Sequence, residues 1–316
     1  MRLVTFEHHG HRGIGWLAPG FVIDLDQVHK LYSSQHGGPV ENPPVSLPRT
    51  MIDFLGLEEE VERYVRDLEE YVRSFFLGSP VELERQGIGH VLSHVRLLPP
   101  VPVPPKIVCL GLNYRDHAEE AHVPVPDRPV LFSKPSTAVV GPDDHIVYPK
   151  ICSQLDYEVE LAVVIGKKGK NISQAEAFSH IAGYTIFNDI SARDIQFADK
   201  QWFRGKGFDT FAPTRPSLVL KDEVNDPHSL KMELRVNGEV RQRSTTANMV
   251  FRIPYLIAFI SAAMTLQPGD IIATGTPAGV GFYAKPEKKL LKPGDVIEAE
   301  IQALGVLRNK VISEEL

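Results

Sequence analysis

Short runs of hydrophobic residues, separated by turn-forming residues, recur along most of the chain and predict many short β-strands. Pro-Gly and Asn-Gly pairs mark several of the turns, and Asn237-Gly238 between strand residues predicts a β-hairpin. The predicted strands are 3–6, 13–18, 21–25, 106–111, 130–133, 157–166, 181–187, 217–220, 231–236, 271–274, 296–301 and 306–311.

One stretch, 58–77, has helical rather than strand periodicity, because its apolar residues recur at i, i+3, i+4 and i+7. Gly78 stands where a helix C-terminus is expected. We predict an amphipathic helix that packs on its own domain, with a partner-binding helix as the alternative. Further helices are predicted at 113–122, 173–180, 191–203 and 248–264, and a loop at 33–48.

The order of these elements indicates an α+β fold that is mostly β, because strands and helices do not alternate as in a doubly wound sheet. The proline-rich segment 97–105 predicts a linker. We therefore expect a small N-terminal α/β domain at 1–96 and a larger domain at 106–316.

Composition narrows the class of protein further. The chain has 316 residues, with 34 Lys and Arg against 40 Asp and Glu, so no basic excess predicts binding to nucleic acid or an anionic membrane. Its two cysteines, Cys109 and Cys152, cannot build a disulfide framework. No apolar stretch is long enough to span a membrane, and the first residues lack a signal-peptide pattern, so we expect a cytoplasmic protein.

Two acidic residues in the predicted strand 157–166 are the first candidates for a functional site. Glu158 and Glu160 lie on one face, which becomes apolar at Ala162 and Val164. Two like charges beside a buried region need a compensating cation, and hard divalent ions take carboxylate oxygens. The alternative, which this segment alone favours, is an exposed strand end with both side chains solvated.

A third acid strengthens the metal hypothesis. Asp189 ends the next strand, so that Glu158, Glu160 and Asp189 are predicted to form an open three-carboxylate metal site. The helix that follows places Arg193 and Gln196 on one face at i, i+3 spacing.

Two further segments carry candidate groups. His117 and Glu120 are one helical turn apart, so the carboxylate can orient the imidazole and raise its basicity; the alternative is a surface pair. The glycine-rich segment 273–281 lacks the Lys-Ser/Thr and the helix of a phosphate loop. Its backbone N–H groups and a Thr hydroxyl could instead meet a carboxylate, with a plain structural turn as the alternative.

Three histidines near the N-terminus, His8, His9 and His11, are close together in the sequence. No second group of ligands accompanies them in the sequence, so we expect them to be solvated.

Seven motifs, taken in order, resemble the fumarylacetoacetate hydrolase family over about residues 104–314. They are Gly111-Leu112-Asn113-Tyr114-Arg115-Asp116-His117, Phe132-Ser133-Lys134-Pro135, 156–166, 189–196, 205–210, Val236-Asn237-Gly238-Glu239 and 274–281. The resemblance implies a mixed β-roll catalytic domain, a homodimer and a Mg²⁺ or Mn²⁺ cofactor.

The same resemblance implies roles for individual residues. Glu158, Glu160 and Asp189 match metal ligands, and His117, Glu120 and Lys206 match catalytic positions, the first two on a mobile lid. The positions that match substrate-binding residues are Arg193, Gln196, Lys206, Gly275 and Thr276. Leu110 stands where the fumarylacetoacetate hydrolases themselves carry a further acidic ligand, so the chain is more similar to the smaller family members.

The resemblance therefore implies a divalent-metal-dependent enzyme for short 2-oxo acids that works through a metal-stabilised enolate. The first expectation is an oxaloacetate decarboxylase or tautomerase. The alternatives are a hydrolase of C–C bonds in acylpyruvates or fumarylacetoacetate-type substrates, and a non-catalytic binding or scaffold protein that retains the pocket. The expected partners are a small 2-oxo acid and a second copy of the chain.

Overall fold

β-Strands form most of the regular structure. The computed structural model describes residues 1–36, 47–57, 59–76 and 78–315. The strands are Arg2–His8 (β1), His11–Ala18 (β2), Phe21–Asp24 (β3), Gly89–Val91 (β4), Arg96–Leu98 (β5), Ile107–Gly111 (β6), Val130–Lys134 (β7), Val139–Val140 (β8), His145–Tyr148 (β9), Leu155–Asp156 (β10), Val159–Ile165 (β11), Ile181–Asn188 (β12), Ser191–Ala192 (β13), Ala212–Pro213 (β14), Ser217–Leu220 (β15), Lys231–Val236 (β16), Glu239–Thr245 (β17), Ile271–Ala273 (β18), Val296–Ile301 (β19) and Gly305–Ser313 (β20). The α-helices are Leu25–His36 (α1), Met51–Leu55 (α2), Glu59–Phe75 (α3), Pro80–Arg85 (α4), Arg115–Glu120 (α5), Arg193–Asp199 (α6), Phe203–Lys206 (α7) and Ile253–Ala263 (α8).

Two mixed sheets organise the described part of the chain. The larger sheet runs in the order β4-β3-β2-β1-β15-β12-β11-β18-β6-β7, with β5 paired to β1. The smaller sheet has the order β17-β16-β19-β20-β9. Most pairs are antiparallel, while β18–β6 and β20–β9 are parallel. The α+β class with predominant strands is confirmed.

Strand β11 lies at the centre and is buried along its whole length. Leu161 and Val163 pack in the core that includes Leu234 of β16 and the strands of the smaller sheet. Ala162 and Val164, on the opposite face, belong to the core that also contains residues of α3. This double burial explains why the strand is apolar on both faces beyond Glu160.

The N-terminal strands continue the large sheet of the main part. Strand β1 pairs antiparallel with β15 through Leu3 and Leu218, so the sheet passes across the predicted domain boundary. In the segment predicted as a linker, Val101 is fully buried, and Thr5 donates a hydrogen bond to the carbonyl of Pro100. The boundaries at 96 and 106 stay a prediction.

Several predicted elements differ from the observed ones. Helix α1 extends to His36, into the segment predicted as a loop at 33–48, of which 37–46 lie outside the described residues. The region 173–180 contains only a 3₁₀ turn, Ala177–His180. The predicted helix 191–203 begins as strand β13, because Ser191 and Ala192 pair with β10, and α6 ends at Asp199.

The other helices are shorter than predicted at one or both ends. Helix α5 covers Arg115–Glu120, helix α8 begins at Ile253 with Pro254 in its first turn, and α3 covers the amphipathic stretch from Glu59 to Phe75. Among the described residues, no helix combines the length and the apolar character that a membrane crossing requires.

Candidate active site

Three buried carboxylates meet where β11 and β12 pair. The register places Val159 opposite Asn188, so Glu158 and Glu160 lie beside Asp189, which follows β12. The N–H of Asp189 donates to the carbonyl of Glu158 (2.9 Å) and fixes this arrangement. One oxygen of each of the three carboxylates lies within 4.8 Å of the others. Because all three side chains are buried, the alternative of solvated acids is excluded.

Three buried cations surround the carboxylates. The ammonium of Lys206 lies between Glu158 Oε2 (2.7 Å) and Asp189 Oδ2 (2.8 Å). Arg193 Nη2 lies 2.6 Å from Glu158 Oε1. Lys134 Nζ lies 2.6 Å from Asp189 Oδ1 and donates to three backbone carbonyls. Lys134 belongs to one of the family-like motifs, although no role was predicted for it.

The acids experience opposite electrostatic environments. Burial would raise the pKa of Glu158, but Lys206 and Arg193 outweigh burial and hold this pKa well below its usual range. Burial raises the pKa of Glu160 well above its usual range, and the charges of Asp189 and Glu158 raise it further. Glu160 is therefore the carboxylate whose charge lacks compensation.

The hydrogen bonds of Glu160 lead to the same conclusion. Its Oε2 accepts the N–H of Gly275 (2.8 Å), whereas its buried Oε1 has no hydrogen-bond partner. Counting Asp156 with the triad, four buried carboxylates face three buried cations, which leaves one negative charge unbalanced. These residues fit a hard divalent cation, since its preferred ligands are carboxylate oxygens.

Asp156 orients Arg193 beside the triad. The carboxylate accepts Nε of Arg193 (2.9 Å) and the backbone N–H groups of Gly281 (2.8 Å) and Phe282 (3.0 Å). Arg193 in turn donates from Nη1 to Oε1 of Gln196 (3.2 Å), as the shared helix face predicts. The amide nitrogen of Gln196 is thereby left to donate to a ligand.

Helix α5 brings His117 and Glu120 to the same place. Nδ1 of His117 lies 3.3 Å from Oε2 of Glu120, and Oε1 of Glu120 accepts the N–H of Gly279 (2.9 Å). The helix is anchored at Asp116, whose Oδ2 accepts the hydroxyl of Ser244 (2.5 Å). The alternative of an unconnected surface pair is excluded, because His117 is buried.

A small cavity of about 220 Å³ joins these groups. Its lining contains both polar and apolar side chains. The polar lining consists of His117, Glu158, Arg193, Gln196, Lys206 and Thr276, and the apolar lining includes Leu110, Leu112, Val123, Phe132, Phe197 and Trp202. Since pockets for drug-sized ligands measure about 300–1,000 Å³, this cavity suits a small molecule.

Comparison with known proteins assigns the family. The family model described as fumarylacetoacetate hydrolase, C-terminal, matches residues 106–312. The chain belongs to the fumarylacetoacetate hydrolase family. It is 49% identical to oxaloacetate tautomerase FAHD2A, mitochondrial, of Bos taurus, over 99% of this chain and 92% of that protein.

Two solved structures of this family share the whole architecture. The fumarylacetoacetate hydrolase of Exiguobacterium antarcticum superposes with a TM-score of 0.76 at 35% identity, covering 99% of this chain and all of that one. The maleylpyruvate hydrolase of Sphingobium sp. SYK-6 gives 0.73 at 30% identity with the same coverage. The bovine relative is mitochondrial by name, and the cytoplasmic location of this family member stays a prediction.

The glycine-rich segment holds the triad in this family member. Gly275 has a φ of +94°, and a Cβ there would lie 3.0 Å from that of Asn113, so the position requires glycine. The N–H of Gly275 donates a hydrogen bond to Oε2 of Glu160. The hydroxyl of Thr276 donates to the carbonyl of Val159 (2.9 Å) and accepts Nε2 of Gln242 (2.9 Å).

Gln242 and Lys134 are two buried polar residues beside the site that were not predicted from the sequence. Gln242, on β17 of the smaller sheet, also accepts the N–H of Val159 with Oε1 (2.9 Å), between Glu158 and Glu160. No local spacing could reveal this bond, because the two residues come from different sheets. Six of the predicted site residues line the cavity, and Glu120, Glu160, Asp189 and Gly275 lie behind them through the contacts described above. The individual roles of these residues stay predictions.

Proposed function

We propose that this protein is an oxaloacetate tautomerase, which interconverts the enol and keto forms of a short 2-oxo dicarboxylate. One observation carries the proposal: His117, which Glu120 orients, lines the same small cavity as Glu158 of the carboxylate triad. The 49% identity to the bovine oxaloacetate tautomerase over nearly the full length supports it.

The reaction moves protons without changing the formula of the substrate. In the direction from enol to keto, the 2-hydroxyl loses a proton and carbon 3 gains one. With Nδ1 turned to Glu120, the other ring nitrogen of His117, Nε2, is available to deliver or remove the proton at carbon 3. Glu120, itself fixed by the N–H of Gly279, keeps the imidazole in this orientation and tautomer.

Glu158, Glu160 and Asp189 would hold a Mg²⁺ or Mn²⁺ ion, which would draw electrons from the 2-oxo oxygen and favour the negative charge that develops there. Lys206 holds Glu158 and Asp189 in place and adds positive charge at the cavity wall.

The substrate carboxylates would be held by Gln196 and Arg193. Because Oε1 of Gln196 accepts from Arg193, the amide nitrogen can donate to a carboxylate in the cavity that Gln196 lines. The hydroxyl of Thr276 already donates its proton to the carbonyl of Val159. We therefore propose that Thr276 binds the substrate carboxylate through its backbone N–H. The apolar wall excludes water from the proton transfer.

The test follows the ultraviolet absorbance of enol-oxaloacetate by stopped flow, in Mg²⁺, in Mn²⁺ and after chelation. We expect His117→Gln to slow ketonisation by about 10²–10⁴-fold, the usual contribution of a general acid or base. The matched control is Glu119→Gln, which changes an exposed residue of the same helix. An unchanged rate for His117→Gln, or an equal loss in the control, contradicts the proposal.

Hydrolysis of acylpyruvates is a second candidate, favoured by the apolar side of the cavity around Phe132 and Trp202. Similarity to a maleylpyruvate hydrolase supports it. Titrating the acids released from an acylpyruvate, and measuring CO₂ released from oxaloacetate, separates hydrolysis and decarboxylation from tautomerisation.

The proposal includes a homodimer. Sedimentation equilibrium of the full chain tests it, because a dimer has twice the mass of the 35.2 kDa chain.

A further inference from the structure

Strand pairing gathers histidines at the N-terminal edge of the large sheet. The β1–β2 register places His8 opposite His11, and the β3–β4 register places His90 opposite Val22. The rings of His8 and His90 lie 4.3 Å apart, and those of His8 and His9 lie 4.2 Å apart. We call His8, His9, His11 and His90 the histidine cluster. His8, His9 and His11 were predicted to be solvated, because His90 is some 80 residues away in the sequence and could not be recognised as their neighbour.

A buried carboxylate faces the histidine cluster. Asp24 is 1% exposed, and its Oδ1 accepts the N–H groups of Asp26 (3.0 Å) and Gln27 (3.2 Å) at the start of α1. Its Oδ2 is buried and has no hydrogen-bond partner. Nε2 of His90 lies 3.5 Å from this Oδ2, and Nε2 of His11 lies 3.7 Å from it. A buried carboxylate oxygen without a donor is a candidate ligand for a cation.

The two distances suit ligands of one metal ion. Nitrogen and oxygen ligands at about 2.0–2.1 Å around a tetrahedral Zn²⁺ lie about 3.3–3.4 Å from one another. The observed separations from Asp24 exceed this value slightly. In the described part of the chain, only the Glu158 triad already holds its ligand atoms within 4.8 Å, so the histidine cluster must close around an ion.

His11 can make this movement. Its side chain is 47% exposed, and its ring lies over Gly13, where a Cβ would approach Nε2 to 3.2 Å. His8 is a further donor beside His90. Burial lowers the pKa of His8, and the neighbouring His90 and His9 lower it further, which favours the neutral form that a metal ligand requires.

We propose that Asp24, His11 and His90, with His8 as a further donor, bind a late first-row divalent ion such as Zn²⁺ or Cu²⁺. Imidazole with carboxylate favours these ions, whereas the all-carboxylate triad favours Mg²⁺ or Mn²⁺. Strand β3 is five strands from β11, about 24 Å across the sheet, so this ion cannot touch the substrate. It ties the β1–β2 hairpin to β3 and β4.

Electron paramagnetic resonance of Cu²⁺ tests the ligands directly. One equivalent of Cu²⁺ is added to the full chain in excess Mg²⁺, and nitrogen hyperfine couplings are counted. We expect couplings from at least two imidazoles, lost in the double variant His11→Asn, His90→Asn. The matched control, His145→Asn, changes an exposed histidine on β9 and should keep them.

A second variant distinguishes the loss of a metal ligand from misfolding. Asp24→Asn keeps an oxygen to cap α1 but removes the charge, so we expect at least tenfold weaker Zn²⁺ binding by calorimetry with the metal-free melting temperature retained. Nitrogen couplings that persist in the double variant, or that disappear only in His117→Ala, overturn the proposal. Unchanged Zn²⁺ affinity in Asp24→Asn overturns it too.

Discussion

Replacing Glu160 by Gln tests the charge balance of the triad. The amide oxygen can still accept the N–H of Gly275, and the amide nitrogen would face the carboxylates of Glu158 and Asp189. The substitution removes a carboxyl group that the folded, metal-free protein favours in its protonated form. We therefore expect Glu160→Gln to stabilise the metal-free protein, although it removes a proposed ligand.

The magnitude follows from proton linkage. The folded state raises the pKa of Glu160, so its protonated form is stable when folded, while the unfolded chain ionises above about pH 4.3. Metal-free stability therefore falls as pH rises, by at most about 1.36 kcal/mol per pH unit, or about 3.7 kcal/mol at pH 7. Below about pH 4 the Gln variant gains nothing.

The assay is thermal unfolding with and without Mg²⁺ between pH 5 and 8. An unfolding entropy of about 2.1 cal/mol/K per residue gives about 0.7 kcal/mol per degree for 316 residues. The gain at pH 7 is then at most about 5 °C without metal. In the wild-type protein, Mg²⁺ at a hundred times its Kd adds about 2.7 kcal/mol, which the variant should lack.

The control is Glu119→Gln, which neutralises an exposed carboxylate. A Glu160→Gln protein that is less stable than wild type without metal, or that Mg²⁺ stabilises as much as wild type, would refute the reasoning.

Three further substitutions test neighbouring contacts. Asp156→Asn weakens the hydrogen bond that orients Arg193. A hydrogen bond to a charged group is worth about 1.5–3 kcal/mol, so kcat/KM for oxaloacetate should fall roughly 10–100-fold in steady-state assays. Lys134→Met leaves Asp189 with one cation fewer and should cost about 3–5 kcal/mol in urea unfolding. Gln242→Leu leaves the buried N–H of Val159 unpaired and should cost about 1–3 kcal/mol in the same assay.

Local pattern was sufficient to predict three of the five strands of the smaller sheet, β16, β19 and β20, but not β9 or β17. The observed bounds of β16 and β19 match the alternation of apolar and polar residues, and Asn237-Gly238 forms the predicted hairpin turn. Such signals are contained within a few residues, so no tertiary contact is needed to recognise them. The prediction of a helix over 191–203 was wrong at its start because of a tertiary contact: Ser191 and Ala192 pair with strand β10, which is distant in the sequence.

The candidate site divides in the same way. Glu158, Glu160 and Asp189 could be proposed because both strand ends are visible in the sequence, and the register of β11 with β12 brings them together. The pairing of Asp24 with His90 could not, because it depends on contacts across separate strands. Partners fixed by long-range register carry no spacing signal in a single sequence.

The register of β11 joins the stability of the fold to the geometry of the site. Because side chains alternate along a strand, a slip of one residue would turn Glu160 into the core between the sheets and Leu161 towards the triad. Two side-chain bonds oppose the slip at the site: Asn188 Oδ1 accepts the N–H of Glu158 (3.0 Å), and Gln242 accepts that of Val159. The apolar residues beyond Glu160 oppose it along the rest of the strand, since both faces are buried. Packing therefore leaves the strand no other position, and the three carboxyl groups remain close together before any cation or substrate binds.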